Sequence, residues 1–168
     1  MSDGVSLRPV EDSDLSIFFE QEQDPDARHM AAFTTADPTN RTAFLAHWKR
    51  VRSDDTMTPR TIIWDGRVAG HLGSWIEAEG GADPTRELGY WLGKPFWGKG
   101  IATRALTLFL RELPMRPLYA HAAKDNLGSI RVLEKCGFIK IGEDMYYAHA
   151  RGAEIPEIRL RLDAASPA

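Results

Sequence analysis

One cysteine stands in the 168 residues, Cys136. That scarcity excludes an internal disulfide framework and a cysteine-based metal cluster. The five histidines (His29, His47, His71, His121 and His149) are scattered without a ligand spacing such as His-x-x-x-His, so no metal is expected. No apolar run approaches the ~18 residues of a membrane span, and the opening Met-Ser-Asp-Gly-Val-Ser-Leu-Arg has no apolar signal core. The expectation is a cytoplasmic protein with no membrane partner. Basic excess is also missing. With 21 Lys and Arg against 24 Asp and Glu, the net charge of -3 gives no support for a nucleic acid partner.

What is present is the composition of an ordinary globular domain, 43% hydrophobic and 27% charged. We read one domain over 1–168, with its core at about 5–162 and a frayed tail at 163–168. A first strand is expected at 5–9. Asp12 and Asp14 offer capping oxygens to a helix that carries Leu15, Phe18 and Phe19. Residues 23–39 read as loop with a helical turn near 28–32. A second helix follows Asn40, with Phe44, Leu45, Trp48 and Val51 at helical spacing.

From Thr61 the period changes. Residues 61–64, an Asp65-Gly66 turn and residues 67–76 read as a β-hairpin. After a loop at 77–86, residues 87–92 form a strand. A helix from about Gly100 bears an apolar stripe of Ala102, Ala105, Leu106, Phe109, Leu110 and Leu113 and ends at Pro114 and Pro117. A strand at 118–123, a helix at 129–136 stopped by Gly137, and strands at 138–142 and 155–162 complete a mixed α/β chain without repeats or linkers.

The most informative segment is Glu87-Leu-Gly-Tyr-Trp-Leu-Gly-Lys-Pro-Phe-Trp-Gly-Lys-Gly-Ile-Ala-Thr-Arg-Ala-Leu106. A strand runs into a glycine-containing turn and then a helix start, where several backbone N–H groups can converge on an anion, most naturally a pyrophosphate. Spacing excludes two nucleotide classes. A dinucleotide fingerprint needs a third glycine where Thr103 stands. An NTPase phosphate loop needs Gly-Lys-Ser/Thr, which Lys99-Gly100-Ile101 does not supply.

Trp97-Gly-Lys-Gly-Ile-Ala102 resembles the pyrophosphate loop of the GNAT superfamily of acyl-CoA-dependent N-acetyltransferases. Gly100 and Ala102 fit the last two anchors of the family pattern Gln/Arg-x-x-Gly-x-Gly/Ala. Trp97 replaces the Gln/Arg, as in the branch resembling ribosomal-protein N-terminal (alanine/serine) acetyltransferases. Leu88-Gly-Tyr-Trp-Leu92 resembles that branch's preceding strand. Asp125-Asn126-Leu-Gly-Ser129 through Gly137-Phe138 resembles its second cofactor segment. The resemblance implies a mixed, mostly antiparallel sheet of about six to seven strands flanked by about four helices, with a splayed strand pair holding the cofactor.

It also implies a set of roles. Backbone N–H groups of Gly98, Lys99, Gly100, Ile101, Ala102 and Thr103 would hold the pyrophosphate of coenzyme A, with Trp97 and Asn126 beside it. Glycine permits the close approach and the helix dipole favours the charge. Pantetheine would lie between strands 87–92 and 118–123, where the N–H near Leu92 would polarise the thioester carbonyl. Many relatives protonate the leaving thiolate with a tyrosine on the later helix. Val132 and Leu133 stand there, so Ser129 or a water inherits the task.

An α-amine titrates near ~8 and a lysine near ~10.4, so the acceptor needs help to lose its proton. Glu87 is the first candidate base; its alternative is a solvated strand-end carboxylate beside Arg86. His71, Glu77 and Glu157 follow. Cys136 reads as core. The acceptor is expected between 15–52 and 144–157, near Glu20, Glu22, Asp24, Asp26, Glu143, Asp144 and Glu154, with Trp64, Trp75 and Trp91 either lining a groove or filling the core. The expectation is direct acetyl transfer from acetyl-CoA to a protein N-terminus or small amine, with a homodimer possible. A non-catalytic acyl-CoA-binding module of the same fold is the alternative, and an NAD- or NTP-binding protein a third.

Overall fold

The computed structural model describes residues 4–78 and 81–164. Seven strands form one sheet: β1 (Val5–Arg8), β2 (Thr58–Trp64), β3 (Arg67–Glu77), β4 (Thr85–Leu92), β5 (Leu118–Ala123), β6 (Ile139–Ala148) and β7 (Ala153–Leu162), in the order β1-β2-β3-β4-β5-β7-β6. Every neighbouring pair is antiparallel except β4 and β5, which run parallel and register only at Glu87 and Tyr119. Beyond that single rung the two strands part. This is the splayed pair, and it lies at the centre of the sheet.

One face of the sheet is covered by α4 (Ile101–Glu112) and α5 (Leu127–Lys135). Ile101, Ala105, Leu106 and Phe109 of α4 and Leu133 of α5 pack with Leu72, Leu88, Leu118 and Leu160 into the main core. The other face carries α1 (Asp12–Gln21), α2 (Pro25–Ala31) and α3 (Arg41–Ser53). There Phe18 and Trp48, with ring centroids 5.2 Å apart, form a second core with Val10 and Val51. A third cluster of Ala32, Ala123 and Ala148 seats the end of α2 near β5.

Several expectations change. Five helices stand among the described residues where about four were expected, because 23–39 contains a complete helix. Asp24 caps α2 by accepting from the Ala27 N–H at 2.8 Å, and Pro25 occupies the first helical turn, the favoured place for a residue without an N–H. At α1 the N-cap residue is Glu11, and Asp14 supplies a capping oxygen as expected, as the third residue of a capping box, while Asp12 does not. Asp14 sits inside the first turn and accepts from the Glu11 N–H at 2.9 Å. Its buried carboxylate also receives Arg8 at 2.7 and 2.8 Å and the Thr61 hydroxyl at 2.7 Å.

The last hairpin is longer than its pattern suggests, so Asp144 stands in β6 and Glu154 in β7. Leu45, expected on the apolar face of α3, is 42% exposed. Asn40 caps α3 as expected, accepting from the Ala43 N–H at 3.0 Å. The glycines at 66 and 137 take the positive φ values of 76° and 99° that their turns require. Of the expected loop at 77–86, residues 79–80 lie outside the described residues, as do 165–168 of the tail.

Candidate active site

At the end of β4 a cavity of about 550 Å³ opens between α2, the turn into α4 and α5. Its far wall is the turn between β4 and α4. Gly98 and Gly100 hold φ values of 73° and 76° there, the left-handed region in which a side chain is strained. A Cβ at Gly98 would meet nothing within 4 Å, so backbone conformation and not crowding selects glycine. Gly100 is the N-cap residue of α4 and has no side chain to satisfy the first N–H groups of that helix, which leaves them for an anion.

Leu92, Trp97, Gly98, Gly100, Ile101, Ala102, Thr103, Asn126 and Ser129 all border this cavity. Trp97 is anchored by its indole N–H, which donates to the Leu92 carbonyl at 2.8 Å and so ties the turn to the end of β4. Lys99 does not border the cavity; its ammonium lies 5.8 Å over the Trp64 ring. Two cations absent from the sequence reading do, Arg131 and Lys135. Their spacing of four on α5 puts them on one helix face, a signal that the sequence carries.

Asn126 has a structural task. It caps α5 by accepting from the Ser129 N–H at 3.2 Å, and its amide donates to the Met30 carbonyl at 3.2 Å, joining α2 to α5. Ser129 Oγ accepts from the Tyr90 hydroxyl at 3.2 Å. Tyr90 also lines the cavity. Burial holds its pKa above the usual phenol value, against a smaller lowering by Ser129, so it stays a donor.

Glu87 is not the solvated strand-end carboxylate of the alternative reading, since it is 3% exposed. Arg86 points elsewhere, to the Thr56 carbonyl and Ser74 hydroxyl. Glu87 Oε1 pairs with His121 Nε2 at 2.6 Å and Oε2 accepts from the Thr85 hydroxyl at 2.8 Å. Burial acts to raise the Glu87 pKa, but the hydrogen bonds from His121 and Thr85 outweigh it and leave the group below the usual carboxylate value. His121 Nδ1 pairs with Glu157 Oε1 at 2.9 Å. The hydrogen bonds to Glu157 and Glu87 overcome desolvation and hold the imidazole pKa up at about 9. At neutral pH it is an imidazolium between two carboxylates.

The remaining candidates separate clearly. His71 is buried between Phe18 and Trp48, at centroid distances of 4.7 and 5.0 Å, and desolvation pushes its pKa down to about 3. It belongs to the second core. Glu77 accepts from the Trp75 indole at 2.8 Å and is exposed. Trp64 packs edge-on against Phe96, away from the Glu87 network, while Trp91 borders the cavity. Cys136 is half-buried near Thr103 and Thr107. Among the described residues no group of three or more His, Cys, Asp or Glu is placed to hold a metal ion, and no helix is long and apolar enough to cross a membrane.

Along β4, residues three apart lie on opposite faces. Glu87 therefore opens to the side of α1–α3, and Tyr90 to the side of α4 and α5. The hydroxyl pair of Tyr90 and Ser129 thus borders the cavity, while the carboxylate–imidazole–carboxylate network lies on the opposite face of the sheet, outside the residues that border it.

A seven-stranded sheet that parts at a central parallel pair, above a glycine turn and a helix N-terminus, defines an acetyltransferase domain of the GNAT type. The chain belongs to that family: the one described as acetyltransferase (GNAT) domain matches residues 5–139. Two Bacillus subtilis (strain 168) proteins are similar. YjcK, named as a candidate N-acetyltransferase, is 42% identical over 82 residues, 46% of this chain and 45% of its own length. YdaF, named as a candidate ribosomal N-acetyltransferase, is 29% identical over 109 residues, 62% of this chain and 58% of its own. The chain thus spans about half the length of these relatives. Among solved structures, Mycobacterium smegmatis RimJ, in complex with a CoA-disulfide, superposes with a TM-score of 0.78 at 25% identity, covering 95% of this chain and 82% of that one.

Proposed function

We propose that this protein transfers the acetyl group of acetyl-CoA directly to a primary amine, a protein N-terminus or a small amine. One observation carries the reading: a single cavity runs from the glycine turn at the N-terminus of α4 to Ser129, beside the end of β4, whose opposite face carries Glu87. The similarity to RimJ, in complex with a CoA-disulfide, supports the same cosubstrate here.

The residues at the cavity fit coenzyme A. The glycine turn and the first N–H groups of α4 suit a pyrophosphate, and Arg131 and Lys135 add positive charge. Acetyl-CoA supplies an activated acyl group as a thioester. The protein's own residues then divide the proton traffic. Tyr90 donates to Ser129 Oγ, which leaves the Ser129 proton free to face the departing sulfur. On the other face, the neutral form of His121, whose fraction grows as pH rises toward 9, takes the proton of the acceptor ammonium, directly or through water, and becomes the imidazolium held between Glu87 and Glu157. An imidazole pKa of about 9 is close to that of an amine, so transfer between them is nearly balanced. Glu157 first and Glu87 second set the basicity of His121.

Steady release of thiol from acetyl-CoA on addition of a panel of primary amines, with acetylated product identified by mass, tests the proposal. Tight coenzyme A binding without turnover across the panel overturns it in favour of a binding module.

A further inference from the structure

Arg159 stands on the same face as the Glu87 network, where its charge helps to hold the Glu87 carboxylate ionised without a hydrogen bond to it. It stands on β7 in register with His121, and its guanidinium carbon lies 4.6 Å over the Tyr119 ring. Its Nε is buried and without a hydrogen-bond partner. Among the described residues no side chain or carbonyl accepts from its guanidinium. Other arginines of this protein are occupied: Arg8, Arg151 and Arg161 each clasp one carboxylate through two nitrogens. A guanidinium held over an aromatic ring by its carbon keeps N–H donors for a further partner, and two terminal nitrogens match a carboxylate in a bidentate pair.

From this we infer that the acceptor is a zwitterion: a small primary amine that also bears a carboxylate, with the carboxylate bound by Arg159. The inference rests on the acetyl-transfer reading and names its substrate class. Side chains at Glu87, Tyr119, His121, Glu157 and Arg159 share one face, since Glu87 registers with Tyr119 and alternate residues of a strand point the same way. Glu87 and Glu157 carry two negative charges, and the protonated His121 and Arg159 two positive ones. These four charges balance, with Asp144 adding one negative charge at the rim, and a cation without a hydrogen-bonded carboxylate among them suits a dipolar ligand rather than a polycation. A linear polyamine would have to set an ammonium against Arg159.

The dimensions agree. With strands about 4.8 Å apart, the backbones of β4 and β7 are separated by about 10 Å across β5, and side chains reach inward from both. Glu157 Oε1 is held by His121, and its second oxygen faces no partner among the described residues, leaving an acceptor for the ammonium. Trp75 supplies an apolar wall. A Cβ on Gly89 would stand 3.0 Å from the Trp75 ring, so the indole lies against β4 two residues from Glu87. Asp144, in register with Glu157 and exposed, adds a carboxylate at the rim.

The test compares each common amino acid with its carboxamide and its decarboxylated amine, adding spermidine as a polycation, for wild type and Arg159→Gln with acetyl-CoA. The expected result is a wild-type kcat/KM highest for a carboxylate-bearing acceptor. Arg159→Gln should lower that value by about 10- to 100-fold, to the level of the carboxamide, and slow the carboxamide and amine by clearly less. Equal use of acid and carboxamide by wild type, a preference for spermidine, or equal slowing of every acceptor by the variant overturns the inference. Should Arg159→Gln not fold, Arg159→Lys, which keeps the charge and loses the fork, must show the same selective loss. If no amine is turned over, the acetyl-transfer reading fails and calorimetry of the same amino acids on the coenzyme A-loaded protein decides. Binding by wild type that is lost in the variant sustains the assignment of Arg159, and no binding overturns it.

Discussion

The Tyr90 hydroxyl lies 3.2 Å from Ser129 Oγ, joining β4 to the first turn of α5 across the candidate coenzyme A cavity. The helix has Val132 and Leu133 where many relatives carry a tyrosine; here a phenol arrives from the strand instead. Tyr90→Phe removes one oxygen and no packing volume, so the melting temperature should hardly move. Ser129→Ala is expected to lower kcat by about 10- to 100-fold, and Tyr90→Phe by less. Because the two act through one hydrogen bond, the double variant should be only as slow as Ser129→Ala, a less-than-additive result. Additive losses would separate the two hydroxyls.

The second prediction concerns pH. With the acceptor amine and His121 both losing protons near pH 9, kcat/KM should climb from neutral pH and level off around that value. Glu87→Gln removes one of the two carboxylates that raise the imidazole, so the inflection should move toward ordinary histidine values while the rate falls. His121→Gln should remove the enzyme's contribution and leave only the ionisation of the amine. An inflection unmoved by Glu87→Gln would detach Glu87 from proton transfer.

His121 also links pH to folding. Its folded-state value of about 9 exceeds the usual 6.5, so its ion pairs stabilise fully below about pH 6.5 and are lost as pH rises through 9. His71 has the opposite sign. With a folded value of about 3, it costs nothing above pH 6.5 and withdraws stability as pH falls from there toward 3. Urea midpoints should therefore decline on both sides of neutrality. His71→Phe, which keeps the ring packing against Phe18 and Trp48, should flatten the acid side and leave the alkaline side unchanged.

Asp14 holds β1, β2 and α1 together through Arg8, Thr61 and the Glu11 N–H. Burial opposes its ionisation, but these hydrogen bonds win and hold its pKa at about 2. Asp14→Ala leaves Arg8 without its buried partner and should cost about 3 kcal/mol, measured by urea unfolding. Arg8→Ala should cost a similar amount by stranding the carboxylate. A loss below about 1 kcal/mol in both would mark the pair as no better than a surface bridge.

Gly100→Glu should abolish coenzyme A binding, by placing a negative side chain at the mouth of the α4 N-terminus. The φ of 76° adds about 1 kcal/mol of strain. Gly100→Ala carries the same strain without the charge. Calorimetry should therefore show near-complete loss for the first variant and a partial loss for the second, with similar melting temperatures. Equal affinities would take the turn out of the binding site.

Local chemistry made much of the molecule legible before any fold was known. The Asp65-Gly66 hairpin, the Asn40 cap, the apolar stripe of α4 and the glycine turn each act over a few neighbouring residues, and each is where the sequence places it. Asp24-Pro25 was equally local, and its capping signal was simply outweighed by the mixed polarity around it. The Glu11 cap differs, since Asp14 is held inward by Arg8 and Thr61, and Thr61 is 47 residues away.

What the sequence by itself determined is a family, a turn shaped for an anion, and the strand-end carboxylate Glu87. Only the tertiary structure decided what surrounds that carboxylate. His121 is 34 residues from Glu87, Ser129 is 39 from Tyr90, and Glu157 is 36 from His121. No periodicity encodes such partners, because they are set by the order of strands in the sheet. The β4-β5-β7 order places three ionisable side chains on one face, where short hydrogen bonds raise the His121 pKa and lower that of Glu87. The same order left Arg159 over the Tyr119 ring with its Nε unpaired, a feature that no sequence pattern announces.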